Sequence, residues 1–425
     1  MSPQPIPLAT AAGELPDGAG THEILAYLAK VAACGDIAAF ALGDTRCILV
    51  NGAAARTLFR RHEADLAKPE FVKASNRGHW GDGLTTLEGG AWRARRRALL
   101  PSMRARQVAP RLTVMADLTA EMLAGWRPGP IALGRHMRIL TARIAAWLVI
   151  DAELEGYGTG EGRSGVIAMP EAYGEDYATA TADDEAGVVM VRPRAPADMA
   201  GVCRIIDRRI ASGQARGDVL SDIVALRLED GSRLSRDEIV GETIQMMYAG
   251  HLTIPATLER YWRAIAAIDT ASLHAEADAA PARPDPQALM RSRTMAALRE
   301  AMRLDPVAPV LYREVARPFA LEGYAFQPGD QVWVSPALLH RDRRLHHAPD
   351  TFDPGRFLAG RDAQARAAFI PFGAGPRTCI AAQQSLLQMT LIAQMTARAF
   401  TLTPSEQAPG RFLLHARTEQ RAACE

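Results

Sequence analysis

The stretch Phe369-Ile370-Pro371-Phe372-Gly373-Ala374-Gly375-Pro376-Arg377-Thr378-Cys379-Ile380-Ala381 sets one cysteine in a Gly- and Pro-rich loop that runs directly into an apolar segment. Gly373 and Gly375 permit backbone angles that a residue with a Cβ resists, so the loop can turn tightly and lie flat beneath a planar ligand. Pro376 limits its flexibility. Cys379 stands where the loop meets residues 380–400, expected to be a helix whose N-terminus, with Arg377 close by, favours a thiolate. A lone cysteine is most often a small buried hydrophobe. It cannot make a structural zinc site, which takes four ligands, but one thiolate is enough as the axial ligand of a heme, whose porphyrin fills the other positions.

Phe372, Gly375, Arg377 and Cys379 follow the order Phe-x-x-Gly-x-Arg-x-Cys-x-Ala. This order resembles the heme-binding signature of the cytochrome P-450 family. Ala381 stands where the family usually has Gly, a small-for-small change. The resemblance implies a mainly α fold, a triangular helical prism around a buried heme b, with a small β-region beside it. It also implies that Cys379 is the iron ligand and that Phe372 and Arg377 lie against the cofactor.

At 425 residues the chain exceeds the usual single-domain size. Composition argues for one domain all the same: hydrophobic residues make up 48% and charged residues 23%, ordinary for a large core, and no Ser- or Gln-rich linker divides the chain. A single domain over 1–425 is expected, with 1–20 a flexible N-terminal segment. The net charge of +1 gives no global basic field and argues against a nucleic-acid partner. Cys34, Cys47, Cys203, Cys379 and Cys424 are odd in number, widely spread and without metal-finger spacing, so a disulfide framework is not expected and a reducing compartment fits. No long apolar run marks a signal peptide or membrane anchor. The expectation is a soluble, cytoplasmic monomer.

Residues 37–42 and 46–50 read as two strands joined by a Gly-Asp turn, with a helix after Asn51-Gly52. Residues 70–90, with His79, Trp80 and Asp82, read as irregular and resemble the family's variable loop over the substrate pocket. A helical segment follows from Trp92 to Pro101 and, with the residues just after it, holds Arg93, Arg95, Arg96, Arg97, Arg104 and Arg106 with no acid between them. Trp92 and Arg96, four apart, share a helical face. They match the family's Trp-x-x-x-Arg pair, which the resemblance places against the heme propionates. The other arginines suit a solvated face or a docking patch for an acidic electron donor, a ferredoxin or flavodoxin-type protein with its reductase. Two helices are expected within 112–151, the second over 135–150. The Gly-rich 151–165 and acidic 161–185 stretches resemble the family's mobile lid.

Ser235-Arg236-Asp237-Glu238 has the Ser-x-x-Glu pattern of a capping box, opening a long helix to about Ile265. Its centre, Ala249-Gly250-His251-Leu252-Thr253, resembles the family's Ala-Gly-x-Glu/Asp-Thr motif. In that motif small residues such as Gly250 leave room for O2 over the iron, and the Thr253 hydroxyl serves proton delivery. Leu252 takes the place of the usual acid and cannot relay protons. Thr253, with water or His251, would have to serve, although a histidine there is more often structural. Pro255 has no N–H, so a local opening is expected, with the His251 carbonyl bound by water or Thr253.

Glu300 and Arg303, three apart on a helix, can pair. With Arg356 of Phe352-Asp353-Pro354-Gly355-Arg356-Phe357 they match the family's structural Glu-Arg-Arg triad, which fixes the cysteine loop. Arg313 lies where the family contacts a propionate from a strand, and 324–334 reads as a hairpin turning at Pro328-Gly329-Asp330. The segment His340-Arg341-Asp342 fits the family as loop structure. The resemblance implies a monooxygenase that inserts one atom of O2 into a small, apolar organic substrate, with electrons from NAD(P)H through separate partners. The Leu252 departure keeps a peroxide-using, isomerising or coupling enzyme as an alternative. A non-catalytic heme-binding protein is the more distant one.

Overall fold

The computed structural model describes residues 4–15, 19–103, 110–151, 200–228, 230–358, 368–405 and 411–417. Five helices build the largest core: Arg111–Ala124, Leu133–Ile150, Arg236–Ile265, Arg293–Leu304 and Ala382–Ala399. Their apolar faces meet through Leu140, Ile144, Leu258, Trp262, Leu298 and Leu387, all almost fully buried. The 30-residue Arg236–Ile265 helix is the central member. Its capping box forms as expected: the Ser235 hydroxyl accepts from the Glu238 N–H at 3.3 Å, and the Glu238 carboxylate accepts from the Ser235 N–H at 2.9 Å.

The helix runs unbroken through Pro255, which corrects the expected opening. Proline removes one hydrogen bond, to the carbonyl four residues back. The flanking threonines instead bond within the helix, Thr253 Oγ1 to the Ala249 carbonyl at 3.2 Å and Thr257 Oγ1 to the Thr253 carbonyl at 2.8 Å. Close packing against the Leu133–Ile150 helix supports the same geometry.

The β-region comprises β1 (Ile37–Leu42), β2 (Thr45–Val50), β3 (Leu66–Ala67), β4 (Gly129–Ile131), β5 (Leu311–Val315), β6 (Phe319–Leu321), β7 (Tyr324–Phe326), β8 (Gln331–Val334), β9 (Phe400–Pro404) and β10 (Phe412–Ala416). They form a five-stranded sheet in the order β1-β2-β8-β5-β3, a three-stranded sheet β4-β10-β9 and the pair β6-β7. The β1-β2 hairpin is as expected, but 324–334 is not a hairpin. β7 pairs with β6, whereas β8 pairs antiparallel with β5 and parallel with β2.

Two further expectations change. Residues 70–80 are helical (Glu70–Trp80), so only the part after Gly81 is loop. The segment from Gln4 to Ala12 is docked rather than free: the Ala9 N–H donates to the Ala39 carbonyl, the Ala39 N–H to the Pro7 carbonyl, and Ile6 is buried on the sheet. The lid-like 152–199 stretch lies outside the described residues, as do Arg104, Arg106 and Cys424. Among the described residues no helix is long and apolar enough to cross a membrane.

Candidate active site

The cysteine loop is held by its own backbone. Gly373 and Gly375 have φ of 74° and 70°, the left-handed region expected of them. A Cβ on Gly375 would also lie 2.5 Å from the Phe59 carbonyl oxygen, so this glycine lets the loop press on the Gly52–Arg61 helix. The Cys379 N–H donates to the Phe372 carbonyl at 2.8 Å, closing the loop just before the Ala382–Ala399 helix.

The Cys379 side chain is accessible to solvent, yet enough protein surrounds it for burial to push the thiol pKa up. The Ala381 N–H and the Arg96 guanidinium oppose that shift without reversing it. The N–H contribution expected from the helix start is therefore present, from the N-cap residue Ala381, while the assisting cation is Arg96 rather than Arg377. A bound metal would displace the thiol proton outright.

Behind the loop, the triad forms. Arg303 and Glu300 are fully buried, with Arg303 Nε 2.7 Å from Glu300 Oε2 and Nη2 2.8 Å from Oε1; Arg356 Nε is 3.3 Å from Oε1. Arg303 also donates to the carbonyls of His340, Pro349 and Thr351, Arg356 to that of Ala348, and the Asp353 N–H donates to Glu300. The triad thus clamps residues 340–356. The link onward to the cysteine loop is His340, whose Nε2 accepts from the Ile370 N–H at 2.9 Å while Nδ1 faces the Arg303 carbonyl at 3.2 Å. Burial drives its pKa down to about 3, so the ring is neutral with the proton on Nδ1. The sequence showed His340 only as loop structure.

The arginines expected to meet the cofactor's carboxylates gather at another edge of the loop. Arg96 donates to the Thr378 carbonyl at 2.6 Å and lies 5.7 Å from the Trp92 ring. Arg377 sits over the same ring at 4.3 Å. Arg313, on β5, pairs with Glu63 at 3.3 Å; Arg377 pairs with Glu63 at 3.2 Å and also with Glu88. Burial raises the Glu63 pKa, opposed by both arginines. Lys68, between the two acids, is lowered to about 7 by burial and then by Arg377. Glu63, Lys68 and Glu88 carry no local motif. Their partners lie up to about 300 positions away, so sequence reading missed them.

On the Arg236–Ile265 helix, Ala249 and Thr253 are exposed within an otherwise buried stretch and mark one open face. Leu252 packs into the same apolar cluster as Ile380 and Ala381, joining this helix to the cysteine loop. Gly250 is half-buried beside Ala249, and a Cβ there would meet Ala145 Cβ at an ordinary 3.6 Å. The His251 backbone is in the helix; its side chain lies outside the described residues.

The segment after Gly81 is fastened to the same helix. A side chain at Gly241 would collide with the Asp82 carbonyl. Glu242 accepts from the Leu84 N–H, and Gln245 accepts from the Thr85 N–H and donates to the Gly81 carbonyl. Arg95 is buried and ion-paired with Glu242 and Glu238 at 2.8 and 2.9 Å, so it is no part of a docking patch; Arg93 and Arg97 are exposed.

Comparison with known proteins agrees with this geometry. The profile of the family described as Cytochrome P450 matches residues 204–416, half of the chain, and the chain belongs to that family. It is 29% identical over 403 residues to cyclooctatin synthase of Streptomyces melanosporofaciens, covering 89% of this chain and 86% of that protein. It is 26% identical over 395 residues to cyclooctat-9-en-7-ol 5-monooxygenase of the same organism, covering 89% and 85%. The fold matches retinoic acid-bound cyanobacterial CYP120A1 with a TM-score of 0.78 at 20% identity, over 98% of this chain and all of that one.

The enzyme is therefore a P-450 monooxygenase, a class that works with heme, a thiolate-bound iron and O2. The described residues fit such a group. An accessible thiol ends a rigid loop, Arg377 Nη1 is buried without a partner, and around Arg377 the cations Lys68, Arg96, Arg313 and Arg377 outnumber the acids Glu63 and Glu88. Among the described residues no cluster of three or more His, Cys, Asp or Glu side chains offers a competing metal site.

Proposed function

We propose that the chain hydroxylates or otherwise oxygenates a cyclic, largely hydrocarbon substrate of isoprenoid type, with electrons from NAD(P)H delivered through a ferredoxin or flavodoxin-type donor and its reductase. The substrate class rests on two relatives named for cyclooctatin chemistry and a structural neighbour that holds retinoic acid. The observation that carries the site is the accessible Cys379 thiol in a loop whose turns are fixed by Gly373, Gly375 and the Phe372 carbonyl.

Heme, when bound, supplies the activation of O2 and the transfer of one oxygen atom. Cys379 would supply its sulfur ligand, with Phe372 beside it, and Arg96, Arg313 and Arg377 would hold its carboxylates, Trp92 being stacked under Arg377. Thr253, on the open face of the long helix, holds water for proton delivery, since Leu252 has no proton to give. Glu242 and Gln245 fix the 81–85 segment against the long helix. Arg93 and Arg97 offer the donor an exposed basic face.

Leu252 supports a second reading, in which peroxide replaces O2 and the donor. The test is a reduced, carbon monoxide-bound spectrum followed by turnover of a cyclic terpene alcohol in three tubes: donor, reductase and NADPH; peroxide; buffer alone. Product in the first tube supports the proposal, and product in the second alone supports the peroxide reading. A spectrum without the red-shifted thiolate band would sink both.

A further inference from the structure

Around Arg377 the described residues bring together Lys68, Arg96 and Arg313, and against these four cations stand two carboxylates, Glu63 and Glu88. The acids come from separate elements. Glu63 lies in the turn after the Gly52–Arg61 helix, and Glu88 precedes the Gly89–Leu99 helix. Each joins two partners: Glu63 Oε1 lies between Arg313 Nε and Arg377 Nε, while Glu88 accepts from the Lys68 N–H at 3.1 Å and pairs with Arg377. Lys68 Nζ in turn donates to the carbonyls of Leu84 and Thr85, tying the cluster to the segment that Glu242 and Gln245 hold.

With Lys68 protonated, the set keeps a surplus of two positive charges, the charge that a ligand with two carboxylates neutralises, and Arg377 Nη1 remains a buried donor without a partner. We propose that Glu63 and Glu88 are positioning residues for the heme carboxylates, holding the cationic donors at fixed angles and, as the nearest compensating charges, setting the electron affinity of the iron.

This inference rests on the proposed heme site at Cys379. The physical step is electrostatic. In a partly buried setting one unit charge acts strongly on a neighbouring centre, and hydrogen-bonded partners beyond the direct ligands tune a metal's potential. Removing one negative charge stabilises the reduced iron, so the reduction potential moves upward.

The experiment uses the heme-loaded protein and the variants Glu63→Gln, Glu88→Gln, their double and Glu63→Asp, with Glu121→Gln as a surface control paired only with Arg143 on another face. Two quantities are read: the ferric/ferrous midpoint potential and the rate of heme loss to excess apomyoglobin. The potential should rise in each Gln variant and most in the double. Heme loss should quicken, by about 10- to 100-fold at the upper end for a positioning partner. Glu63→Asp keeps the charge and shortens the reach, so heme loss should quicken while the potential holds.

A double variant with unchanged potential, or a control that rises equally, overturns the inference. Should Glu63→Gln bind no heme, Glu88→Gln and Glu63→Asp decide by the same two readings. The unmodified protein's carbon monoxide spectrum is a separate check: a missing thiolate band there defeats the heme assignment itself, whereas an intact band with unmoved potentials defeats only the role of the acids.

Discussion

Replacing Glu300 by Ala tests how the fold supports the cysteine loop. The side chains of Glu300 and Arg303 are 0% exposed, and the carboxylate takes two bonds from Arg303, one from Arg356 and one from the Asp353 N–H. Its loss leaves a buried guanidinium without a counter-charge, which typically costs ~3–5 kcal/mol. The three carbonyls that Arg303 also meets soften the blow but carry no full charge. Spread over the unfolding entropy of a chain of this length, about 2 cal/mol/K per residue, that loss lowers the melting temperature by ~3–6 °C. Heme loading should suffer more than melting, because the clamp on 340–356 passes through His340 to Ile370, where the cysteine loop begins. The assay is the heme-to-protein ratio of purified variant beside a thermal melt. Glu300→Gln, which keeps the volume and loses the charge, should fall between variant and parent. Full loading with an unchanged melt in Glu300→Ala would refute the reasoning.

Other expectations follow from the same geometry. His340→Phe keeps a ring beside Phe369 but strands the Ile370 N–H, a loss of about 1–3 kcal/mol, and should raise the rate of heme loss. Because the folded His340 pKa of about 3 lies below its ordinary 6.5, the unfolded chain binds the proton first. Stability from this residue is complete above about 6.5 and falls as the pH drops toward 3, so urea midpoints near neutrality and at about pH 5 should differ less in His340→Phe than in the parent. Thr253→Ala should raise the NADPH consumed per product formed, read as the ratio of oxidised cofactor to product; unchanged coupling would remove Thr253 from proton delivery. Gly375→Ala brings a Cβ to 2.5 Å from the Phe59 carbonyl at a positive φ, and the carbon monoxide spectrum should show little heme-loaded protein.

How much of this was legible in the chain depends on how far apart the interacting residues stand. The capping box at Ser235 and Glu238, the positive φ of Gly373 and Gly375, and the Glu300–Arg303 pair are set by neighbours within four positions, and each is found as read. The strand partners of β7 and β8 are not so set. Gln327 to Asp330 makes a plausible turn, but β8 finds its neighbours in β5 and β2, because the Ile48, Val332 and Val334 side chains bury together in a way that no local alternation reveals. The Glu70–Trp80 helix was hidden for a different reason: its glycine and polar residues obscure the apolar period.

Charge was the hardest property to read. Arg93 to Arg97 looks like one basic run, yet the helical turn sends Arg95 inward to Glu242 and Glu238, Arg96 toward the cysteine loop, and Arg93 and Arg97 out to solvent. A run of like residues on a helix therefore carries at least three different electrostatic tasks, sorted by the 100° step between positions. The same logic explains why a motif locates Arg377 but not its field. The motif specifies the cation, and the tertiary fold supplies Glu63 and Glu88 from distant turns. These acids lie outside the motif, and they are where the electron affinity of the proposed heme is expected to be set.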